Sequence, residues 1–209
     1  MSTDLPIGVA FVGLGWWGEV LAEAALNSGA VKVTGGFART PASRQTFVLK
    51  FGGRNFDSFD DLLADSETEA VVIASANSVH KDQAISAARA GKHVHLEKPM
   101  TLSVSDAKEV VATCANAGVK LHVGQNFRRW PMFRRAKRAL ETGEVGTVSL
   151  AFAHFSHSLG LTAGEKSMRW DPVENPGGPL YSYTIHLADL MEHLFGEVLE
   201  VEAMCAKVG

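Results

Sequence analysis

A glycine-rich turn between a strand-like and a helix-like segment constrains this chain most. The segment VAFVGLGWWGEVLAEAAL (9–26) contains glycines with the spacing GxGxxG. Gly13 would permit a tight turn, Gly15 would let the backbone approach a pyrophosphate, and Gly18 would allow close helix–strand packing. The helix N-terminus would add free N–H groups and a partial positive charge. The alternative is a tight corner that happens to hold three glycines. We predict a dinucleotide site whose turn residues are Gly13, Leu14, Gly15, Trp16, Trp17 and Gly18.

Two tryptophans occupy the variable positions of this turn. Trp17 lies nearer the helix, and we interpret it as a packing residue. Trp16 lies at the tip, where its ring edge can face the dinucleotide or a substrate cleft. An indole N–H is a donor that needs a partner wherever it is buried.

The N-terminal part of the chain alternates strand-like and helix-like segments. The strand patterns lie at 7–12, 30–38, 70–75, 93–97 and 119–124. The helix patterns lie at 16–28, 40–52, 58–65, 78–90 and 103–117. Such alternation predicts βαβ units and a doubly wound parallel sheet of the α/β class. Residues 1–124 are therefore predicted to form a Rossmann domain.

The pattern changes at about residue 124, and residues 125–209 are predicted to form a smaller, incomplete α+β domain. Helices are predicted at 131–143 and 180–195, and strands at 146–158 and 198–208. A sheet of two strands is marginally stable alone. Either this sheet pairs with another subunit, giving a homo-oligomer, or the chain is a fragment.

Composition and charge exclude several classes of partner. The net charge is −3 and the pI is about 6.2, so we expect neither a nucleic-acid nor a membrane partner. In the basic run RRWPMFRRAKR (128–138), Arg134, Arg135, Lys137 and Arg138 are interpreted as a solvated helix face. No apolar stretch approaches the ~18–20 residues that span a bilayer, and the N-terminus lacks a basic n-region. We expect a cytoplasmic protein.

The cysteines and histidines do not predict a metal site. Cys114 and Cys205 are far apart in sequence and form no CxxC pair, so reduced thiols are expected. His154 and His157, on a predicted strand, are interpreted as pleat neighbours rather than ligands.

The second strand ends without the acidic residue that an NAD site usually places on the adenosine ribose. No Asp or Glu occurs from 33 to 50, and Arg39 takes that place beside Thr40 and Ser43. A cation with nearby hydroxyls suits a 2′-phosphate, which favours NADP over NAD as the cofactor. A solvated surface arginine is the alternative.

Four further segments give the chain a family resemblance. They are ANSVH (76–80), GKHVHLEKP (91–99), QNFRRWP (125–131) and PGGPLYSYTIHLADL (176–190). In combination they resemble the Gfo/Idh/MocA oxidoreductases, the glucose–fructose oxidoreductase and inositol dehydrogenase family. The resemblance implies two domains with NAD(P) in a cleft, a sugar, polyol or related alcohol as substrate, and an unusual, cis-type turn at Pro99.

The resemblance also implies roles for individual residues. Lys98 matches the catalytic lysine, which contacts the substrate hydroxyl and the nicotinamide ribose, and His186 matches the histidine that acts as general base or donor. The further cofactor contacts it implies, together with Lys98, are Ser75, Asn77, His80, Glu97 and Asn126. The substrate contacts are Lys98, Arg128, Trp170, Ser182 and His186, with Trp130 as a second candidate for a sugar-stacking wall.

The histidine segment departs from the family pattern. Ser182 stands where family dehydrogenases place an Asp four residues before the histidine, and Thr184 replaces a glycine. A serine can hydrogen-bond an imidazole but cannot stabilise its cation as a carboxylate does. Tyr183 or Tyr181 is therefore a candidate acid–base group, with packing as the alternative for both.

The leading hypothesis is an NAD(P)-dependent oxidoreductase that moves a hydride between the nicotinamide and a secondary alcohol carbon of a sugar, polyol or cyclitol. Ser182 and the short second domain favour one rival, a nucleotide-binding regulatory subunit of the same fold without turnover. A second rival retains its cofactor and uses it transiently in hydrolysis or epimerisation.

Overall fold

A computed structural model of the protein describes residues 6–156, 158, 162, 164, 167, 170–178 and 180–204. A parallel sheet organises the N-terminal part. Its strands are β1 Ile7–Val12, β2 Val31–Phe37, β3 Arg54–Asn55, β4 Ala70–Ile73, β5 His93–Leu96 and β6 Leu121–Val123. Their order is β3-β2-β1-β4-β5-β6, and every neighbouring pair is parallel. This is the doubly wound order, so the predicted fold class is confirmed. The two-residue β3 is too short for sequence periodicity to reveal.

Helices connect the strands and continue beyond them. They are α1 Trp16–Asn27, α2 Pro41–Phe51, α3 Phe59–Ala64, α4 His80–Arg89, α5 Val104–Asn116, α6 Pro131–Glu141 and α7 Ile185–Phe195. Ser58 caps α3 by accepting a hydrogen bond from the Asp61 backbone N–H at 3.0 Å. Short 3₁₀ turns at Asn77–Val79 and Phe127–Arg129 precede α4 and α6.

Strand alternation divides the core into two layers. In β1, Val9 and Phe11 pack on the face covered by α1 and α2, whereas Ala10 and Val12 pack with residues of α4 and α5. All four side chains are at least nine-tenths buried. Both faces of the central strands are therefore covered, which explains their near-continuous apolar sequences.

The two strands predicted in the C-terminal part are not found. Residues 146–156 and 196–204 form neither helix nor strand, and the last residues of the second prediction, 205–208, lie outside the described residues. Phe152 and Leu199 are 88% and 93% exposed. Alternating sequence predicts a face, but a strand also needs a neighbour for its backbone groups. Within the described part, no segment pairs with either stretch.

The described residues contain no helix with the length and apolar character required to traverse a bilayer. Nor do three or more His, Cys, Asp or Glu side chains among them converge to hold a metal ion. Cys114 is buried in the core, whereas His157 and Cys205 lie outside the described residues.

Candidate active site

The carboxyl ends of the parallel strands meet at one edge of the sheet, and the candidate site lies there. The turn after β1 begins at Gly13, which has a φ of +85°. A Cβ at Gly13 would lie 2.5 Å from the Ala74 carbonyl. A Cβ at Gly18 would lie 2.1 Å from the Gly13 oxygen. These two glycines are therefore required by the protein's own packing. Leu14 is buried beneath the turn in the core.

Gly15 differs from the other two glycines of the turn. A Cβ placed on Gly15 would meet no heavy atom within 4 Å. Gly15 is also the N-cap of α1, and no side chain caps that helix end. The space in front of the α1 N-terminus is open, and uncapped N–H groups there suit an anionic group. This arrangement fits a bound pyrophosphate.

The half-buried Trp17 is one of the groups, with His95 and the Lys98 N–H, that outweigh the effect of burial and lower the pKa of the Glu97 carboxyl. Trp16 is 77% exposed, and its ring lies 5.5 Å from that of Trp17 between centroids. The two tryptophans therefore face different surroundings: one a buried charge, the other the open side of the turn.

A cavity of about 600 Å³ opens at this edge of the sheet, and we call it the central cavity. Many of the predicted site residues line it: Trp16, Trp17, Ser75, Asn77, His80, Glu97, Lys98, Asn126, Ser182, Tyr183 and His186. The aromatic part of its wall is completed by Phe127, Trp130 and Phe155. One enclosure thus holds titratable groups, amides and apolar rings, as small-molecule sites commonly do.

Lys98 follows β5 directly, and the peptide bond between Lys98 and Pro99 is cis. The Lys98 Nζ donates a hydrogen bond to the backbone oxygen of Ser182 at 3.0 Å. This contact joins the end of β5 to the turn that leads into α7.

His186 lies in the first turn of α7 and is 7% exposed. Burial, together with the positive charge of Lys98, lowers the pKa of His186 to about 4. Its ring stacks on Phe127 with centroids 4.3 Å apart and planes 9° apart. Its Nδ1 is buried and has no hydrogen-bond partner among the described residues. The neutral imidazole thus keeps one nitrogen whose hydrogen bonding no group among the described residues satisfies.

The helix predicted over 180–195 begins differently from an ideal α-helix. Leu180–Thr184 form a π turn, and the α-helical part starts at Ile185. The Ser182 Oγ donates a hydrogen bond to the backbone oxygen of Gly178, four residues earlier in the chain, at 3.3 Å. Ser182 therefore does not take the place of a carboxylate beside His186, although both residues line the central cavity.

Three further polar residues occupy the rim between β4 and α4. The Ser75 Oγ donates to the Gln83 Oε1 at 2.6 Å, and the Asn77 Nδ2 donates to the Glu174 backbone oxygen at 2.7 Å. His80 is 1% exposed, and burial lowers its pKa. Its Nδ1 lies 2.9 Å from the Pro99 oxygen. His80 thereby supports the segment that carries Lys98.

Asn126 follows β6, and its Oδ1 is buried without a partner among the described residues. An amide oxygen in that state suits a donor on a bound molecule, because an unpaired buried acceptor is costly. The open space at Gly15 fits a pyrophosphate, and the unpaired Asn126 and His186 atoms fit a ligand with hydrogen-bonding groups.

Some predicted residues lie away from the central cavity. Arg128 forms an ion pair with Asp189 of α7, and the half-exposed Trp170 donates its indole N–H to the Gly164 oxygen at 3.1 Å. Tyr181 donates its hydroxyl to the Thr101 oxygen at 2.5 Å. Of the two tyrosine candidates, Tyr183 is the one on the cavity wall.

Arg39 is exposed just beyond the end of β2. The Oγ1 of its neighbour Thr40 lies 2.7 Å from the Ser43 Oγ. The end of β2 adjoins the glycine turn, because the Gly13 N–H donates to the Phe37 oxygen at 3.0 Å. Arg39 is thus outside the central cavity but follows the strand that lies next to the turn.

Sequence reasoning missed Phe127, Phe155 and Asn175 on the cavity wall. Phe127 lies within QNFRRWP, so its position beside Asn126 was a usable signal. Phe155 and Asn175 carry no such signal, because only the tertiary fold brings them to the cavity.

Comparison with known proteins agrees with this geometry. Residues 7–125 match the model of the Gfo/Idh/MocA oxidoreductase family, described as an NAD-binding Rossmann fold. Residues 133–209 match the model of the GFO/IDH/MocA C-terminal domain. Together the two models cover most of the chain.

Two curated relatives illustrate the range of the matches. The 1,5-anhydro-D-fructose reductase of Ensifer adhaerens is 30% identical over 175 residues, covering 81% of this chain and 52% of the relative. The 2,7-anhydro-N-acetylneuraminate hydratase of Escherichia coli (strain K12) is 29% identical over 199 residues, covering 95% and 52%. The chain spans about half the length of the curated relatives it matches.

Two solved structures share the fold. One, from Desulfitobacterium hafniense and provisionally described as an NADPH-dependent oxidoreductase, has a TM-score of 0.88 and 33% identity, covering 93% of this chain and 56% of that one. The other is scyllo-inositol dehydrogenase from Lactobacillus casei with bound NAD(H) and scyllo-inositol. Its TM-score is 0.78 at 25% identity, covering 92% and 57%.

Proposed function

Because the chain belongs to the Gfo/Idh/MocA oxidoreductase family, we propose that it transfers a hydride between a nicotinamide dinucleotide and a secondary alcohol carbon of a sugar, polyol or cyclitol. The observation that carries this proposal is the joint placement of Lys98 and His186 on the central cavity, beside the glycine turn. Relatives named as an anhydrofructose reductase and an inositol dehydrogenase support the substrate class. Residues 1–124 would provide the cofactor domain and residues 125–209 part of the substrate domain.

The glycine turn would hold the pyrophosphate at Gly15 and the α1 N-terminus. Ser75, Asn77, His80, Glu97 and Asn126 would surround the nicotinamide half. When bound, the nicotinamide supplies the acceptor or donor of the hydride.

The protein's own groups would manage the substrate oxygen and its proton. The Lys98 ammonium would donate a hydrogen bond to the substrate hydroxyl and stabilise the negative charge that develops on that oxygen. The neutral His186 would accept the hydroxyl proton during oxidation and return it during reduction. Since the pKa of His186 is about 4, its imidazole is unprotonated at neutral pH and ready to act as a base. Tyr183 would lie beside this exchange on the cavity wall.

Kinetics of two variants test the assignment. With NAD(P)⁺ and a panel of neutral sugars and cyclitols, K98M and H186N should each reduce turnover by about 100- to 10,000-fold. K32M is a matched control, because the exposed Lys32 pairs with Glu67 on the surface and should turn over normally. Wild-type turnover that survives in both K98M and H186N would refute the assignment.

We also propose NADP as the preferred cofactor. Arg39 is exposed just after the strand that lies next to the turn, and the hydroxyls of Thr40 and Ser43 follow it in the chain. A guanidinium there suits a 2′-phosphate. In calorimetric titrations, R39A should weaken NADPH binding by about tenfold and leave NADH binding unchanged. R89A, which removes an exposed arginine at the end of α4, is the control. Equal weakening of both cofactors in R39A would contradict the preference.

A second candidate reaction is a hydrolysis or epimerisation in which the cofactor stays bound throughout. One relative is named as a 2,7-anhydro-N-acetylneuraminate hydratase, and this name implies no net redox change. That relative favours the second reaction. The two candidates differ in what accumulates. Oxidation of an alcohol releases reduced dinucleotide in proportion to product, whereas the second reaction consumes substrate with no lasting change in nicotinamide absorbance.

A further inference from the structure

The Arg44 side chain extends from α2 to the end of β2. Arg44 lies near the start of α2 and is 8% exposed. Its Nη1 donates a hydrogen bond to the Ala38 backbone oxygen at 3.0 Å. Its Nε donates to the Asn55 Oδ1 at 3.0 Å, and its Nη2 donates to the Asp57 Oδ1 at 3.1 Å. Since β2 and β3 are paired, one buried guanidinium joins the helix to the ends of two neighbouring strands.

Arg44 and Arg39 have different surroundings, although both lie near the end of β2. Each of the three side-chain nitrogens of Arg44 donates to a group of the protein itself. The side chain of Arg39 is exposed. A guanidinium that is buried and bonded at every nitrogen is not suited to hold a phosphate of a bound molecule. Arg44 therefore acts on its own chain, and Arg39 is the one that can reach a ligand.

The Ala38 oxygen belongs to the peptide unit that leads into Arg39. A peptide unit is planar, so a bond that holds its carbonyl also orients the N–H and the Cα of the next residue. The preceding peptide unit is held as well, because the Phe37 oxygen accepts a hydrogen bond from the Gly13 N–H at 3.0 Å. Two consecutive peptide units are thus fixed, one by the glycine turn and the other by Arg44, and Arg39 follows directly.

We propose that Arg44 is a positioning residue: its bond to the Ala38 oxygen directs Arg39 towards the phosphate that distinguishes NADP from NAD. The effect on specificity rests on the proposed NADP preference, whereas the bond itself can be tested in the absence of any cofactor. Three bonds in one plane require a guanidinium, because a lysine ammonium is a single compact charge.

A comparison of R44M with R54M tests the bond. R44M keeps a long unbranched side chain and removes the donors. R54M is the matched control, because Arg54 of β3 pairs instead with the buried Asp65. In ¹⁵N-labelled protein, R44M should shift the backbone amide resonance of Arg39, which shares its peptide unit with the Ala38 oxygen. R54M should leave that resonance in place. An Arg39 amide that does not move in R44M would overturn the proposal.

Calorimetric titrations test the effect on specificity. R44M should weaken NADPH binding by about fivefold and NADH binding by less than about twofold. R54M should keep the wild-type ratio of the two dissociation constants. In an R39A background, R44M should change neither constant, because the side chain that it positions is gone. Equal weakening of both cofactors by R44M would show that Arg44 only stabilises the fold. The same loss of NADPH affinity with and without Arg39 would show that Arg44 acts on the phosphate independently. Either result would overturn the proposal.

If R44M fails to fold, N55A tests the same guanidinium from β3. Asn55 is exposed, and N55A removes the acceptor of the Arg44 Nε while Arg44 itself stays in place. The Arg39 amide should again shift, and the preference for NADPH should fall by about twofold. If the wild-type chain binds neither dinucleotide, the proposed function fails, but the amide shifts still decide whether Arg44 holds the end of β2. If R39A leaves the cofactor preference unchanged, the proposed preference fails and the effect of Arg44 on specificity fails with it.

Discussion

Phe127 lies face to face with His186, with ring centroids 4.3 Å apart and planes 9° apart. Phe127 belongs to the turn before α6, and His186 to the start of α7. The stack therefore fixes the imidazole from a different element and excludes water from one of its faces. The stack therefore supports the His186 ring. The Ser182 side chain does not, because it hydrogen-bonds to the Gly178 backbone oxygen.

Removal of the ring should alter the titration of His186. F127L opens one face of the imidazole to water, so the pKa of His186 should rise from about 4 towards its ordinary value. F127Y keeps the stack and should leave the pKa nearly unchanged. Histidine NMR titration of both variants measures this, and an identical pKa in F127L and F127Y would contradict the role assigned to the stack.

His186 should also make stability depend on pH in a defined window. Its pKa is about 4 in the folded chain and about 6.5 when unfolded. Between these values the unfolded chain binds a proton that the folded chain does not. The free energy of unfolding should therefore fall as the pH drops through this window, by up to roughly 3 kcal/mol. Urea unfolding of wild type and H186N at several pH values tests this: the difference in the free energy of unfolding should change with pH through this window and become constant above about pH 7. A difference between the two that does not change with pH would contradict the lowered pKa.

Substitution of Gly18 should affect folding, whereas substitution of Gly15 should affect dinucleotide binding. Gly18 has the Gly13 oxygen at 2.1 Å from its Cβ position, whereas Gly15 has nothing within 4 Å and an ordinary extended φ of −78°. G18A should therefore lower the melting temperature, while G15A should melt like wild type and bind dinucleotide at least about tenfold more weakly. Thermal unfolding and calorimetry distinguish the two. If G15A binds normally, the pyrophosphate does not lie where we place it.

Glu174 should hold its turn against the Rossmann domain. Its carboxylate accepts hydrogen bonds from the Ser78 N–H at 3.1 Å and the Ser78 Oγ at 2.6 Å. E174Q should destabilise the chain by about 1 kcal/mol, because charge-assisted bonds become neutral ones. E144Q is the control: Glu144 pairs with Arg135 where both side chains are more than half exposed, so its loss should cost less than about 0.5 kcal/mol. Equal effects in urea unfolding would show that Glu174 makes only a surface contact.

The sheet, the glycine turn and the position of Lys98 could be predicted from the sequence, because each depends on a local pattern. Strand and helix periodicity gave the parallel sheet, and the glycine spacing located the turn after β1. The position of Lys98 after a buried strand placed it at the carboxyl edge of the sheet, where the structure has it. These features follow from residues close together in the chain.

Contacts between residues that lie far apart in the chain could not be predicted from local patterns. Trp17 of the glycine turn and Glu97, which follows β5, line the same cavity although they lie far apart in the chain, so no local pattern predicts that they come together. Alternation in 146–156 predicts a strand but not the neighbour that a strand requires, and the described residues provide none. The π turn at Leu180–Thr184 likewise changes which residues face His186 in a way that an ideal helix periodicity cannot reveal.

We propose that a nicotinamide dinucleotide binds at the glycine turn and extends into the central cavity. Titration of the 209-residue chain with NADPH and with NADH, followed by tryptophan emission, tests it most directly. Trp16 is exposed on the wall of that cavity, so a bound reduced nicotinamide should quench it. The account predicts saturable quenching at about micromolar NADPH, weaker binding of NADH, and little quenching in G15A. A folded sample whose emission responds to neither dinucleotide would contradict the account.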